Sequence, residues 1–156
     1  LLDWLIRRTK FNFCLVMKDR YAYEHPRVRC FGPAPQEQLA RIMNACSVLV
    51  CTSGMETQHL AGIEAAACGL PIVTFPVGIY GKMDESKFGR IVGEPGCGLS
   101  HVEPMANFAD AIADVIHRRE QFDSRGYFLS FGLDKETCMA RWKALIHEVA
   151  PENSPA

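Results

Sequence analysis

One stretch narrows the fold of this chain more than any other: Ser53–Thr74, SGMETQHLAGIEAAACGLPIVT. From about Gln58 to Cys68 the residues are good helix formers, dense in alanine. Gly69 supplies a helix stop, and Pro71 forbids continuation. Short apolar runs of strand length flank this helix, Ser47–Cys51 (SVLVC) before it and the β-branched Pro71–Phe75 (PIVTF) after it. The unit reads strand, loop, helix, strand, which is the crossover of a parallel sheet. Ligands of open parallel sheets bind where loops leave the carboxyl ends of the strands. Glu56 falls in that loop, and Glu64 inside the helix after it.

Glu64 is the unusual residue of the pair. Leu60, Ile63 and Ala67 recur at helical spacing and mark the side expected to pack on the sheet. Glu64 lies on or beside that side, and an unpaired buried carboxylate costs several kcal/mol. Two fates stay open from spacing alone. It reaches a backbone N–H or the solvent, or it waits for hydroxyls of a ligand.

The rest of the chain continues the alternation. Leu1–Arg8 reads as the end of a helix, Phe11–Met17 as a strand and Val28–Phe31 as the next strand. The ten residues between those strands are few for a parallel crossover, which leaves a single helical turn or an irregular connection. Pro35 opens an amphipathic helix carrying Leu39, Ile42, Met43 and Cys46. Gly78–Lys87 is a polar loop at the same end of the sheet as Glu56. Gly89–Val92 starts the last strand, and Gly93–Gly98 is turn material. Met105, Phe108, Ala109, Ile112, Val115 and Ile116 mark a second amphipathic helix, and Cys138, Trp142, Leu145 and Val149 a third. The expected fold is α/β, doubly wound, with a mainly parallel sheet flanked by helices over residues 1–150 and a frayed tail at 151–156.

Composition removes several function classes. A net charge of −1 with 22% charged residues gives no bulk attraction to nucleic acid or to an anionic membrane. No apolar run approaches the ~20 residues of a membrane span, and the chain does not open with a signal-peptide pattern. The Leu1-Leu2 start, without methionine, points to a piece of a longer protein. The seven cysteines are odd in number and form no C-x-x-C pair, so they read as reduced, buried thiols of a cytoplasmic protein. No metal site is expected.

The pattern Ser53-x-x-Glu56, seven residues, Glu64-Ala65, then Cys68-Gly69-Leu70-Pro71 and a β-branched strand resembles the donor-site signature of retaining glycosyltransferases. It is similar above all to glycosyltransferase family 4, whose GT-B fold pairs two facing Rossmann-like domains. Val28–Gly32 (VRCFG), Gln38-Leu39 and Cys46-Ser47-Val48 resemble the strand, helix and strand that lead into the family's signature. Gly89–Val92 and the helix near Phe108–Ile116 resemble the elements on its C-terminal side. The likeness covers roughly residues 10–118.

The resemblance implies a Rossmann-like donor-binding half. Glu64 stands where the family binds the ribose hydroxyls of the nucleotide. Glu56 stands where it contacts the donor sugar, the one catalytic position in this set. An ionised carboxylate, an acceptor only, suits a vicinal diol. Eight helical residues span ~12 Å, comparable to the reach from sugar to ribose. Backbone groups of Thr57, Gln58, His59 and Leu60 would hold diphosphate or sugar oxygens. Ser53 would fix the loop or simply satisfy its own turn, and Gly78 belongs to the facing loop. The family's usual aromatic-glycine pair is replaced by Gln58-His59. His59 would narrow the pocket, donate to a phosphate oxygen, or do neither as a solvated side chain. Lys82 is a further phosphate contact or a solvated lysine.

The implied reaction moves a sugar from a nucleotide diphosphate-sugar, a substrate, to an acceptor hydroxyl with retention, using no cofactor or metal. The absence of an Asp-x-Asp motif agrees with the latter. The family's first strand of this domain, with its diphosphate-clamping arginine and lysine, and the N-terminal acceptor domain are expected to be missing. The chain alone is therefore expected to be inactive, with any peripheral membrane contact made through the missing half. The alternative is a catalytically inactive GT-B-like module that binds a nucleotide or a protein; a nucleotide-sugar epimerase is a weaker third reading. If the last helix crosses back onto a partner domain, Trp142, Leu145 or Ile146 would be exposed; otherwise it packs on its own sheet.

Overall fold

A computed structural model of the chain describes residues 1–17, 23–93 and 102–149, excluding the side chains at 102–105. The elements run α1 (Leu2–Arg8), β1 (Phe13–Val16), β2 (Val28–Phe31), α2 (Gln36–Asn44), β3 (Leu49–Val50), α3 (Leu60–Ala67), β4 (Ile72–Thr74), α4 (Glu85–Phe88), β5 (Gly89–Ile91), α5 (Val102–His117), α6 (Ser124–Ser130) and α7 (Lys135–Val149). The fold is α/β and Rossmann-like, with parallel strands flanked by helices. Its hydrogen bonding forms two pieces rather than one sheet. β1 pairs with β2, Phe13 opposite Val28, and β4 lies between β3 and β5, with Ile72 opposite Leu49 and Gly89. Cys14 of β1 lies beside Cys46, just ahead of β3, where the two pieces approach one another.

The core is built around β4. Ile72, Val73 and Thr74 are all fully buried, as expected of a strand covered on both faces. Phe75 meets Phe108 of α5 edge-on at 4.7 Å, and Ile112 and Val115 continue that helix's buried stripe. At the other end of the chain Leu5 of α1 joins the same core. The Arg27 guanidinium donates to the carbonyls of Ile6, Thr9 and Phe11, tying the end of α1 to the start of β2. Burying those carbonyls without donors would be costly.

Several expectations change. The helix in the organising stretch starts at Leu60, and its buried residues are Gly62, Ala65 and Ala66. Leu60 and Ala67 are exposed, and of the expected Leu60–Ile63–Ala67 side only Ile63 packs against the core, half-buried. Small residues let the helix backbone approach the sheet closely, and the larger ones then fall to its flanks. Glu64 is consequently half-buried beside the packing face, not on it. Gly78–Lys87 is more structured than a loop, holding a 3₁₀ turn at Tyr80–Lys82 and the start of α4. α6 has no counterpart among the elements expected from the sequence; Asp123 caps it by accepting from the Gly126 N–H. The cysteines are less buried than expected, with Cys14 exposed and Cys51 the buried one among the described residues. Gly69, at φ 72°, ends α3 as the sequence implies. Between β1 and β2, residues 23–27 are non-helical. Residues 18–22, Cys97, most of the Gly93–Gly98 turn and the 151–156 tail lie outside the described residues.

α7 carries Trp142, Leu145 and Ile146 exposed, at 62%, 47% and 55%, and contains no buried residue. It does not pack on its own sheet.

Candidate functional site

β3 and β4 run parallel, so the loops after them emerge at one edge. The first carries Ser53–His59 and the second Pro76–Ile79. Ser53 donates its hydroxyl to the Met55 carbonyl at 3.0 Å, which closes its own turn. The loops meet at Gly78. Its φ is 54°, and a Cβ there would stand 2.9 Å from the Thr57 carbonyl oxygen and 3.2 Å from that of Glu56. Only glycine accepts both the conformation and the approach. The backbones of Glu56, Thr57 and Gly78 are thus brought together.

Glu56 and Glu64 are both half-buried, and neither makes a hydrogen bond or ion pair within the described residues. Glu64 borders a groove of about 200 Å³ between α2 and α3, lined by Gln36, Leu39 and Met43 on one side and Ala67 and Cys68 on the other. Thr57 and Gln58 are exposed on the loop, and Leu60 stands 65% exposed at the first turn of α3. That turn has no side-chain cap. The first N–H to turn back onto the helix start is that of Gly62, which donates to the His59 carbonyl. The N–H groups of His59, Leu60 and Ala61 therefore remain available at the helix start. Lys82 is exposed on its turn.

His59 is the N-cap of α3 with a left-handed backbone, φ 53° and ψ 70°. The position is one where glycine is the default, and an L side chain costs ~1 kcal/mol. Its Nδ1 lies 2.9 Å from the Tyr80 hydroxyl. Burial lowers the His59 pKa, with the Glu56 carboxylate pulling the other way. Burial raises that of Tyr80, helped by Cys51 and Glu56. Tyr80 and Gly62 were not legible as site residues. Tyr80 sits in a polar run where only Gly78 matched a pattern, and Gly62 looks like any small residue in an alanine-rich helix.

A larger cavity, about 370 Å³, opens at the carboxyl end of β5 beside Glu85, Arg90 and Asn107. None of the candidate residues lines it. Its arginine is engaged by Asp114 at 2.9 Å and faces Glu85 at 3.8 Å. The Ser53–Gly78 edge, with two unpaired carboxylates and open N–H groups, is the better-equipped ligand surface. No group of three or more metal-ligating side chains occurs among the described residues.

Residues 7–118 match the family model for glycosyl transferases group 1. The chain belongs to that family. The match takes in well over half of the chain and every candidate residue from Ser53 to Gly78. Comparison with curated proteins and with solved structures gave no match. In this group 1 glycosyltransferase domain, parallel β/α units carry the Ser53–His59 and Pro76–Ile79 loops at their carboxyl edge. No helix among its described residues is long and apolar enough to cross a membrane.

Proposed function

We propose that this chain is the donor-binding half of a retaining glycosyltransferase of the family 4 type, taking a nucleoside diphosphate-sugar. The observation that carries the reading is the pair of unpaired carboxylates, Glu56 and Glu64, set on either side of an uncapped helix start. Glu64 accepts both hydroxyls of the ribose diol, and the apolar wall of Leu39 and Met43 beside it offers the base a surface. The open N–H groups at the start of α3 take diphosphate oxygens, where the helix dipole favours negative charge. As the glycosidic bond breaks, charge builds on the departing diphosphate, and donors already in place stabilise it without reorganising. Glu56 orients the sugar by its hydroxyls. Both glutamates bind and position; neither is a general acid or base. The acceptor and its domain lie outside this half.

The test is an NMR titration of the chain and of Glu64→Ala with UDP, GDP and ADP. Shifts clustered at Glu56–Glu64 and Gly78 are expected for one base. Losing charge-assisted bonds of ~1.5–3 kcal/mol should weaken binding by about 10- to 100-fold in Glu64→Ala. Shifts on another face, or equal affinity in the variant, would remove the donor reading.

A further inference from the structure

Three residues interlock behind the Glu56 loop. Tyr80 is fully buried, with its ring stacked on Phe88 at 5.7 Å and tilted against Phe128 at 6.4 Å. Its hydroxyl leaves this aromatic cluster toward His59, whose ring it meets edge-on at a centroid distance of 5.5 Å. It passes over Gly62, where a Cβ would stand 1.7 Å from the phenol oxygen and 2.7 Å from His59 Nδ1. The missing side chain at 62 is what admits the contact.

The proton's place on this pair is set by what each group has available. The Tyr80 hydroxyl has one partner among the described residues, His59 Nδ1. A buried hydroxyl left without an acceptor is costly, so the phenol donates and Nδ1 accepts. A neutral imidazole that accepts at Nδ1 carries its hydrogen on Nε2. Nε2 makes no hydrogen bond within the described residues, and the ring is part-exposed. The lowered proton affinity of His59 agrees with the neutral ring, Glu56, Tyr80 and Cys51 being the titratable groups that face the pair.

We propose that Tyr80 is a positioning residue: by hydrogen-bonding Nδ1 across Gly62, it holds His59 as the Nε2–H tautomer and makes its outer nitrogen a fixed donor to a phosphate oxygen of the ligand. The phosphate part of this inference rests on the donor reading above; the tautomer part does not. A neutral donor locked in one direction adds selectivity for an oxygen at one place without adding a charge that would hold the diphosphate product.

Long-range ¹H–¹⁵N correlation spectra of histidine-labelled chain test it, with the His59 signals assigned by their loss in His59→Gly. The unliganded chain should show His59 as Nε2–H, and Tyr80→Phe should show a mixture of tautomers. An Nδ1–H pattern, or an unchanged pattern in Tyr80→Phe, would overturn the positioning role. Titration with the nucleoside diphosphate that binds best should then shift His59 Nε2. Both Tyr80→Phe and His59→Gly, the latter keeping the left-handed backbone, should weaken binding by about three- to tenfold. Wild-type affinity in His59→Gly would overturn the phosphate contact. Failure of the unmodified chain to bind any nucleotide would overturn the donor reading and the phosphate contact with it, while the tautomer pattern stands or falls on its own spectrum.

Discussion

A methyl group added at position 62 would overlap the Tyr80 oxygen, which the aromatic cluster keeps from retreating. Gly62→Ala should therefore cost ~2 kcal/mol, as overpacking of a filled core does, and should also break the bond to His59. Urea denaturation measures the first effect and the histidine spectrum the second. His59 adds a pH dependence with a definite sign. Its pKa in the fold lies below the ordinary value of 6.5, so its contribution to stability is full above about pH 6.5 and is lost as the pH falls through the folded value. The stability difference between the chain and His59→Gly should accordingly shrink from pH 7 toward pH 5. The placing of Glu56 and Gly78 at one end of the sheet was legible from the strand–loop–helix–strand pattern, whereas spacing alone left the part played by Glu56 and Glu64 open. Tyr80 was not legible, because its role depends on a hydroxyl emerging from a core that only the folded chain assembles, 21 residues from its partner.

Among elements, the best-read were those whose burial obeys a simple period. β2 has the bounds its sequence implies, and α5 buries Phe108, Ile112 and Val115 as its spacing requires. α3 shows where period misleads, because the tightest packing goes to Gly62, Ala65 and Ala66, residues that carry little hydrophobic signal. α4 and α6 are short, and capping aspartates rather than apolar stripes define their starts: Asp84 accepts from the Ser86 N–H and Asp123 from that of Gly126. α5 is fastened to β5 by Asp114, which accepts from Arg118 and from Arg90. Those bonds, Arg118 first, hold the Asp114 pKa at about 2 against an ordinary 3.8. The stability it contributes is present above pH 3.8 and lost as the pH falls through about 2. Comparing melting temperatures at pH 5 and pH 2 should show a smaller acid loss in Asp114→Asn. The difference should be modest, since the carboxylate is 36% exposed and solvent screens it.

Across the whole molecule, stability is unevenly distributed. The core around β4 and α5 holds the buried aromatic rings, while α7 is tied down mainly at its first turns, where the Cys138 thiol donates to the Gly132 carbonyl and Arg141 to that of Phe131. Phe108→Ala should cost ~3–5 kcal/mol, whereas Trp142→Ala should stay within ~0.5 kcal/mol. Chemical denaturation of the two variants would check the contrast, and comparable losses would mean that α7 is packed. The Tyr80 ring belongs to the well-packed part of this landscape and its hydroxyl reaches His59 at the Ser53–Gly78 edge. A single phenol thus couples the packing of the aromatic cluster to the orientation of His59. On the donor reading proposed above, substitutions at Phe88 or Phe128, which touch the Tyr80 ring and not His59, would loosen the hydroxyl and weaken nucleotide binding, which titration at rising temperature would measure.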